Sequence, residues 1–263
     1  MSGPCYLARS GRTFHLPAAG EEPIMAQMHK IALSPDMMAR VTKRRGGKLH
    51  AIDRLDPART ALIVIDMQNV WVKPGMPAYT PTCEGIVPNI NRLAAAMRAA
   101  GGSVWWVRAI YGDDTPRTWS AYMEFMSPEF TGEMLGALTE GAEGAALWHA
   151  LDLQPGDQHV IKRRFSAMIQ GSSDLGERLQ AGGIDTVIIT GTATNICCES
   201  TARDAFMLNY RTLVVSDANA TVSDEAHNAS LNALFARFAD VFSTDEVAGL
   251  LAAARPERAR RAG

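Results

Sequence analysis

Asp66, Lys162 and Cys197 each stand at or just beyond the end of a short apolar run in this 263-residue chain. A carboxylate, an amine and a thiol brought to one place can carry nucleophilic catalysis. The thiol needs a base to take its proton, which Asp66 can be, and a cation to hold the charge that results, which Lys162 can be. The same carboxylate can then return the proton to a leaving amine. Each residue also has an ordinary reading: a turn or helix-cap aspartate, a solvated lysine beside Arg163 and Arg164, an inert buried cysteine. Three strand-end positions in one fold make the joint reading stronger than any of its parts. Cys197 is expected to open a helix, where the positive end of the helix dipole predicts a lowered thiol pKa. Gly191 and Ala193, in the loop before it, have side chains small enough to let backbone approach a substrate oxygen.

These residues need a frame. Residues 60–66 (TALIVID), 103–110 (SVWWVRAI), 159–162 (HVIK), 185–190 (DTVIIT), 211–217 (RTLVVSD) and 241–242 read as six strands. Continuous apolar runs mark strands covered on both faces. Helical spacing over 86–100 stops at Gly101-Gly102, and further helices are predicted over 174–180, 197–209 and 224–239. The alternation predicts an α/β fold of three layers: a mostly parallel six-stranded sheet with helices on both faces. Residues 111–157 interrupt the rhythm with Trp119, Tyr122, Phe125, Phe130 and Trp148, and read as a lid, an oligomer contact or plain packing. Residues 1–55 read as an N-terminal extension, its first two dozen residues loosely held and its basic Lys43-Arg44-Arg45 a binding surface, a solvated arm or a contact with a neighbouring subunit. Residues 56–250 read as the domain and 251–263 as a C-terminal tail.

Composition narrows the function. Hydrophobic residues make up 47% and the formal charge is −2, a balance that does not suggest a nucleic-acid partner. The apolar runs are far shorter than a membrane span. The four cysteines, Cys5, Cys83, Cys197 and Cys198, form no CxxC pair, and no secretory signal is read at the N-terminus. A reducing, cytoplasmic setting, a small-molecule substrate and a homo-oligomer are the expectations. No glycine-rich phosphate loop follows the first strand, which disfavours the alternative of a nucleotide-binding or scaffold domain without chemistry.

The segments ALIVIDMQN (61–69), VIKRRFSAM (160–168) and TGTATNICCESTARDA (190–205) resemble the isochorismatase-like cysteine hydrolases, over roughly residues 58–247. The last segment is similar to the ureidoacrylate amidohydrolase, biuret hydrolase and N-carbamoylsarcosine amidase branch. The resemblance implies the six-stranded fold, an Asp–Lys–Cys triad at Asp66, Lys162 and Cys197, and a cis peptide between Thr192 and Ala193. It also implies an oxyanion hole from the Ala193 and Cys197 amides. The implied reaction is cleavage of a C–N bond in a small amide, ureido or carbamoyl compound, with no cofactor. Cys198 reads as packing. No histidine occurs in residues 70–85, so the Asp-x-His metal motif of the nicotinamidases is missing and no metal is expected. Hydrolysis of another bond, such as a vinyl ether, is the alternative on the same fold; Cys197 argues against it. Substrate contacts are placed by position at Gln68, Asn69, Trp71, Arg108, Tyr111, Trp119, Ser166 and Gln170, with Arg108 as partner for a substrate carboxylate.

Overall fold

The computed structural model describes residues 28–254. The leader expected over the first two dozen residues therefore lies outside the described residues, as does Cys5. In chain order the elements are α1 (Pro35–Arg44), β1 (Thr60–Ile65), α2 (Asn69–Val72), α3 (Thr82–Gly85), α4 (Val87–Ala100) and β2 (Ser103–Ala109). Then come α5 (Thr115–Thr118), α6 (Ser120–Phe125), α7 (Pro128–Ala137), β3 (Gln158–Lys162), α8 (Leu175–Ala181) and β4 (Thr186–Thr192). A π-helical turn (Thr194–Cys198) leads into α9 (Glu199–Met207), β5 (Arg211–Ala220), α10 (Asp224–Arg237), β6 (Asp240–Phe242) and α11 (Thr244–Ala254).

The strand order is β3-β2-β1-β4-β5-β6, and every neighbouring pair runs parallel. The chain winds outward from β1 in one direction through β3, then returns to the other side of β1 for β4 to β6. The direction reverses between β1 and β4, and open α/β sheets place ligands at the carboxyl ends flanking such a switch. β1 is buried at all six positions, as a central strand covered on both faces must be. Its even side chains, Leu62 and Val64, join the core formed with α4 and α11; its odd ones, Ala61, Ile63 and Ile65, join the core formed with α8, α9 and α10.

Several boundaries differ from expectation. β4 continues through Thr192 and β5 through Ala220, past a register shift between Ile189 and Gly191. Polar residues at these strand ends hid the continuation from an argument based on apolar runs. The helix expected over 197–209 begins as the π-helical turn instead, and the expected tail contains the end of α11, where Leu251 is buried. Residues 111–157 supply α5, α6 and α7, and side chains of α6 and α7 form a third apolar cluster with Val70, Ala109 and Tyr111.

The extension is docked from its first described residues. Asn228 Oδ1 accepts from Ala32 N at 2.6 Å, and Asn232 Oδ1 accepts from Ser34 N at 2.8 Å, so one face of α10 holds the strap in register. Ser34 caps α1, with proline at its first position. Arg45 leaves α1 to pair with Asp240 and lies over the Phe235 ring. It is thus engaged by the domain itself, while Lys43 and Arg44 stay exposed. Asp240, buried on β6, also accepts from the Ala51 and Ile52 amides, both at 2.8 Å. Asp240→Ala leaves two amides and one guanidinium without their acceptor, which should cost about 2–4 kcal/mol. The urea midpoint should fall accordingly, and residues 45–52 should become susceptible to limited proteolysis. An unmoved midpoint with an intact extension would show that the carboxylate does not hold it.

Candidate active site

At the switch point the backbone brings the chemistry together. Gly191, at the end of β4, has φ +113°, and a Cβ there would lie 2.0 Å from the Ile65 carbonyl oxygen. Only glycine lets the ends of β1 and β4 press this closely. Asp66 follows at φ +53°, a left-handed conformation that aspartate tolerates better than most residues. Its amide donates to Val107 O at 2.9 Å, fixing the turn against β2. The Thr192–Ala193 peptide bond is cis.

Lys162, Asp66 and Cys197 meet at the closed end of a cavity of about 400 Å³. Lys162 Nζ lies 2.8 Å from Asp66 Oδ2 and donates to Cys197 Sγ at 3.4 Å and to the Arg164 carbonyl at 3.0 Å. These three partners account for the three protons of the ammonium. Asp66 is 0% and Lys162 1% exposed, so the ion pair is removed from water. The Asp66 carboxylate is held by the Lys162 ammonium and also meets the Cys197 side chain and the Ala109 backbone.

Burial decides the protonation pattern. Desolvation raises the Asp66 pKa against the opposing pull of Lys162 and of the adjacent Cys197. Lys162 is raised: burial works against its charge, but the Asp66 carboxylate and the Cys197 sulfur outweigh it. The Cys197 thiol is pushed up, first by burial and then by the negative Asp66 beside it, with Lys162 opposing. This corrects the lowered thiol pKa expected from a helix start: the dipole of one turn does not offset burial next to a carboxylate. The resting arrangement is a neutral thiol beside a carboxylate made more basic than usual and a firmly protonated lysine. Cys198 points elsewhere, into the core between β4 and α9, with Sγ 3.9 Å from Thr190 O.

Of the residues placed by sequence, Asp66, Lys162, Cys197, Ala193, Trp71 and Tyr111 line the cavity. Gln68 is buried scaffolding: Nε2 donates to Ala109 O and Ala145 O, and Oε1 accepts from Ala109 N at 2.7 Å. Asn69 donates to Glu143 O, and Arg108 turns to Glu140 and Ala145 O. Trp119 sits behind the wall, stacked on Tyr122 at 4.7 Å. The Ser166 hydroxyl accepts from Met168 N, and Gln170 is exposed away from the cavity. The Arg108 reading failed because β2 alternates its faces, and residue 108 points away from the side chains of Trp105, Val107 and Ala109.

The wall residues missed by sequence reasoning are Tyr122, Met126, Phe130 and Met134, from α6, α7 and the link between them. Their spacing of four was a usable signal, but nothing in it indicated which face met the sheet edge. A second missed feature supports the turn that carries Cys197. His227, on α10, donates from Nε2 to Ser216 O at 3.0 Å and accepts at Nδ1 from the Thr194 hydroxyl at 2.8 Å. His29 stacks on it at 4.3 Å, accepts from Thr221 N at Nε2 and donates from Nδ1 to Asp224. The Thr221 hydroxyl in turn donates to Asn195, and both residues line the cavity.

The Isochorismatase domain model matches residues 60–246. The chain belongs to the isochorismatase family. This family member is 35% identical over 195 residues to ureidoacrylate amidohydrolase RutB of Methylobacterium radiotolerans, covering 67% of this chain and 73% of the relative. It is 32% identical over 193 residues to the uncharacterized isochorismatase family protein YwoC of Bacillus subtilis, covering 73% of this chain and 94% of the relative. Among solved structures, a cysteine hydrolase from Pseudomonas syringae pv. phaseolicola superposes with a TM-score of 0.67 at 32% identity, covering 76% of this chain and 95% of that one. N-carbamoylsarcosine amidase from Thermoplasma acidophilum gives 0.57 at 28% identity, covering 71% and 97%. The isochorismatase match begins at residue 60, so the strap carrying His29 lies before it.

The His227 contacts yield a pH signature. Burial, with His29 beside it, holds the His227 pKa down at about 4 against an ordinary 6.5. An unfolded histidine takes up a proton near 6.5 while the folded one resists. This contribution is therefore full above pH 6.5 and declines as the pH falls toward 4, by roughly 3 kcal/mol in all. Urea midpoints at pH 7 and pH 4.5 should separate wild type from His227→Gln at the higher pH and draw them together at the lower. A constant gap would place the proton elsewhere.

Proposed function

We propose that this isochorismatase-family hydrolase cleaves the C–N bond of a small amide, ureido or carbamoyl compound, with Cys197 as nucleophile and a thioester-type acyl-enzyme intermediate. The supporting observation is the contact of Lys162 Nζ with both Asp66 Oδ2 and Cys197 Sγ, at 2.8 and 3.4 Å, on the floor of the cavity. Amidohydrolase relatives accord with it.

The steps follow from the protonation pattern. Asp66 takes the proton from Cys197 as sulfur attacks the carbonyl carbon. The ammonium of Lys162, already touching both groups, stabilises the negative charge on sulfur during transfer. The oxygen gains charge near Ala193 and Cys197, both lining the cavity, and their backbone amides serve as its donors. Collapse of the tetrahedral intermediate breaks the C–N bond, and the Asp66 carboxylic acid protonates the departing nitrogen. Water then gives a proton to Asp66 and attacks the acyl carbon. The C–S bond breaks, and the proton returns to sulfur. The raised Asp66 pKa suits a group that must hold a proton between these steps. No metal or cofactor enters this scheme.

Cys197→Ser should abolish turnover, whereas Cys198→Ser should keep most of it and lose stability only. Asp66→Asn keeps the shape and removes the base, so the rate should fall by about two to four orders of magnitude. Turnover of a panel of amides, ureido acids and carbamoyl amino acids, with mass spectrometry of the quenched enzyme, checks each variant. An acyl adduct on Cys197 is expected in wild type. Equal loss in both folded cysteine variants would remove Cys197 from its role.

A further inference from the structure

The cavity's charge inventory restricts what can enter it. Lys162 is the one cationic side chain among the described residues lining the cavity, and Asp66 is the one anion. All three ammonium protons of Lys162 are engaged, by Asp66, Cys197 and the Arg164 carbonyl. The arginines nearest in the chain are engaged elsewhere. Arg108 faces Glu140 and Ala145 O. Arg164 donates to the Arg163 and Thr118 carbonyls and lies over the Trp119 ring, and Arg163 lies 3.8 Å from Asp114. Among the described residues, no cation lining the cavity is therefore left free to receive a carboxylate.

The walls are mostly apolar, with Tyr79, Thr80, Tyr111, Asn195 and Thr221 among them. Trp71, Tyr122, Met126, Phe130, Met134 and Phe165 surround the space in front of Cys197. Phe165 is held edge-on by Trp119 at 4.8 Å, which fixes this part of the wall. The apolar character continues to the mouth, where Ile196 is 40% and Val222 77% exposed. Burying an ionised carboxylate against such a wall without a partner is strongly unfavourable, while an apolar group gains from the same burial.

We infer that the site takes an uncharged substrate whose acyl side is a branched alkyl or carbocyclic aryl group, and that it discriminates against ureido and carbamoyl acids. The inference rests on the hydrolase reading of the same site, but it concerns recognition and can be tested apart from turnover. Tyr111 and Asn195 supply the polar contacts in the cavity that a neutral amide can use, and burial holds the Tyr111 hydroxyl protonated as a donor.

The test uses matched pairs: phenylacetamide against its 4-carboxy analogue, and isovaleramide against 3-ureidopropionate. Ammonia release gives kcat/KM, and protection of Cys197 from iodoacetamide, followed by mass, gives occupancy without turnover. The neutral member of each pair should be favoured by about 100-fold, the scale of an unpaired carboxylate in an apolar site. Phe130→Lys, which places a cation in the wall, should narrow that gap by at least about tenfold for the 4-carboxy analogue. Equal or better cleavage of the carboxylates by wild type would overturn the inference and leave the hydrolase reading standing. Protection by the neutral compounds without cleavage of any would sustain the inference and count against the proposed reaction. Protection by neither member of a pair would overturn the inference.

Discussion

An ion pair taken entirely out of water organises this protein's working end. Lys162 and Asp66 are both fully buried, and such a pair persists only when each charge finds compensation. Lys162 has it in full, through Asp66, the Cys197 sulfur and the Arg164 carbonyl. Asp66 has it from Lys162, with the Cys197 side chain and the Ala109 backbone adding to it. Burial, outweighing these partners, makes the carboxylate more basic than usual. Burial also keeps the neighbouring thiol protonated. In the proposed reaction sulfur becomes nucleophilic only as its proton passes to Asp66.

The scaffold serves this arrangement by bringing strand ends together at the reversal of strand order. Gly191 permits the close approach of β1 and β4 that sets Asp66 beside the loop leading to Cys197. The turn holding Cys197 is tied to α10 through Thr194 and His227, and α10 in turn holds the extension through Asn228, Asn232 and Asp224. His29 links these layers, since it stacks on His227 and accepts from the Thr221 amide at the cavity rim. The strap outside the family-matched region is therefore continuous with the support of the site.

Strand-end residues were legible in the sequence because continuous apolar runs announce central parallel strands and fix where they stop. Asp66, Lys162, Cys197 and the chamber-facing Trp71 and Tyr111 all follow from that reading. Side chains whose role depends on strand face or on tertiary contacts were not legible. Gln68 seemed available to substrate, yet it closes backbone groups of Ala109 and Ala145 in the interior. Arg108 was aimed wrongly for want of its register with β1 and β3. The wall from α6 and α7 was visible only as aromatic and methionine spacing, and the docking of the extension depends on asparagines nearly two hundred residues away in the chain. The thiol's protonation was misjudged because a helix start is a local feature, while burial beside a carboxylate is not.

The chemistry proposed for this site turns on one proton, and the pH dependence of Cys197 alkylation reads it directly. Iodoacetamide labelling, followed by mass at Cys197, should remain slow through neutrality. It should rise only well above pH 8.5, where an ordinary thiol titrates, because burial and Asp66 hold the proton on sulfur. Asp66→Asn should move that rise toward lower pH by removing the negative neighbour. A Cys197 that alkylates as a thiolate below pH 8.5 in the wild type, or a profile unmoved by Asp66→Asn, would contradict the account.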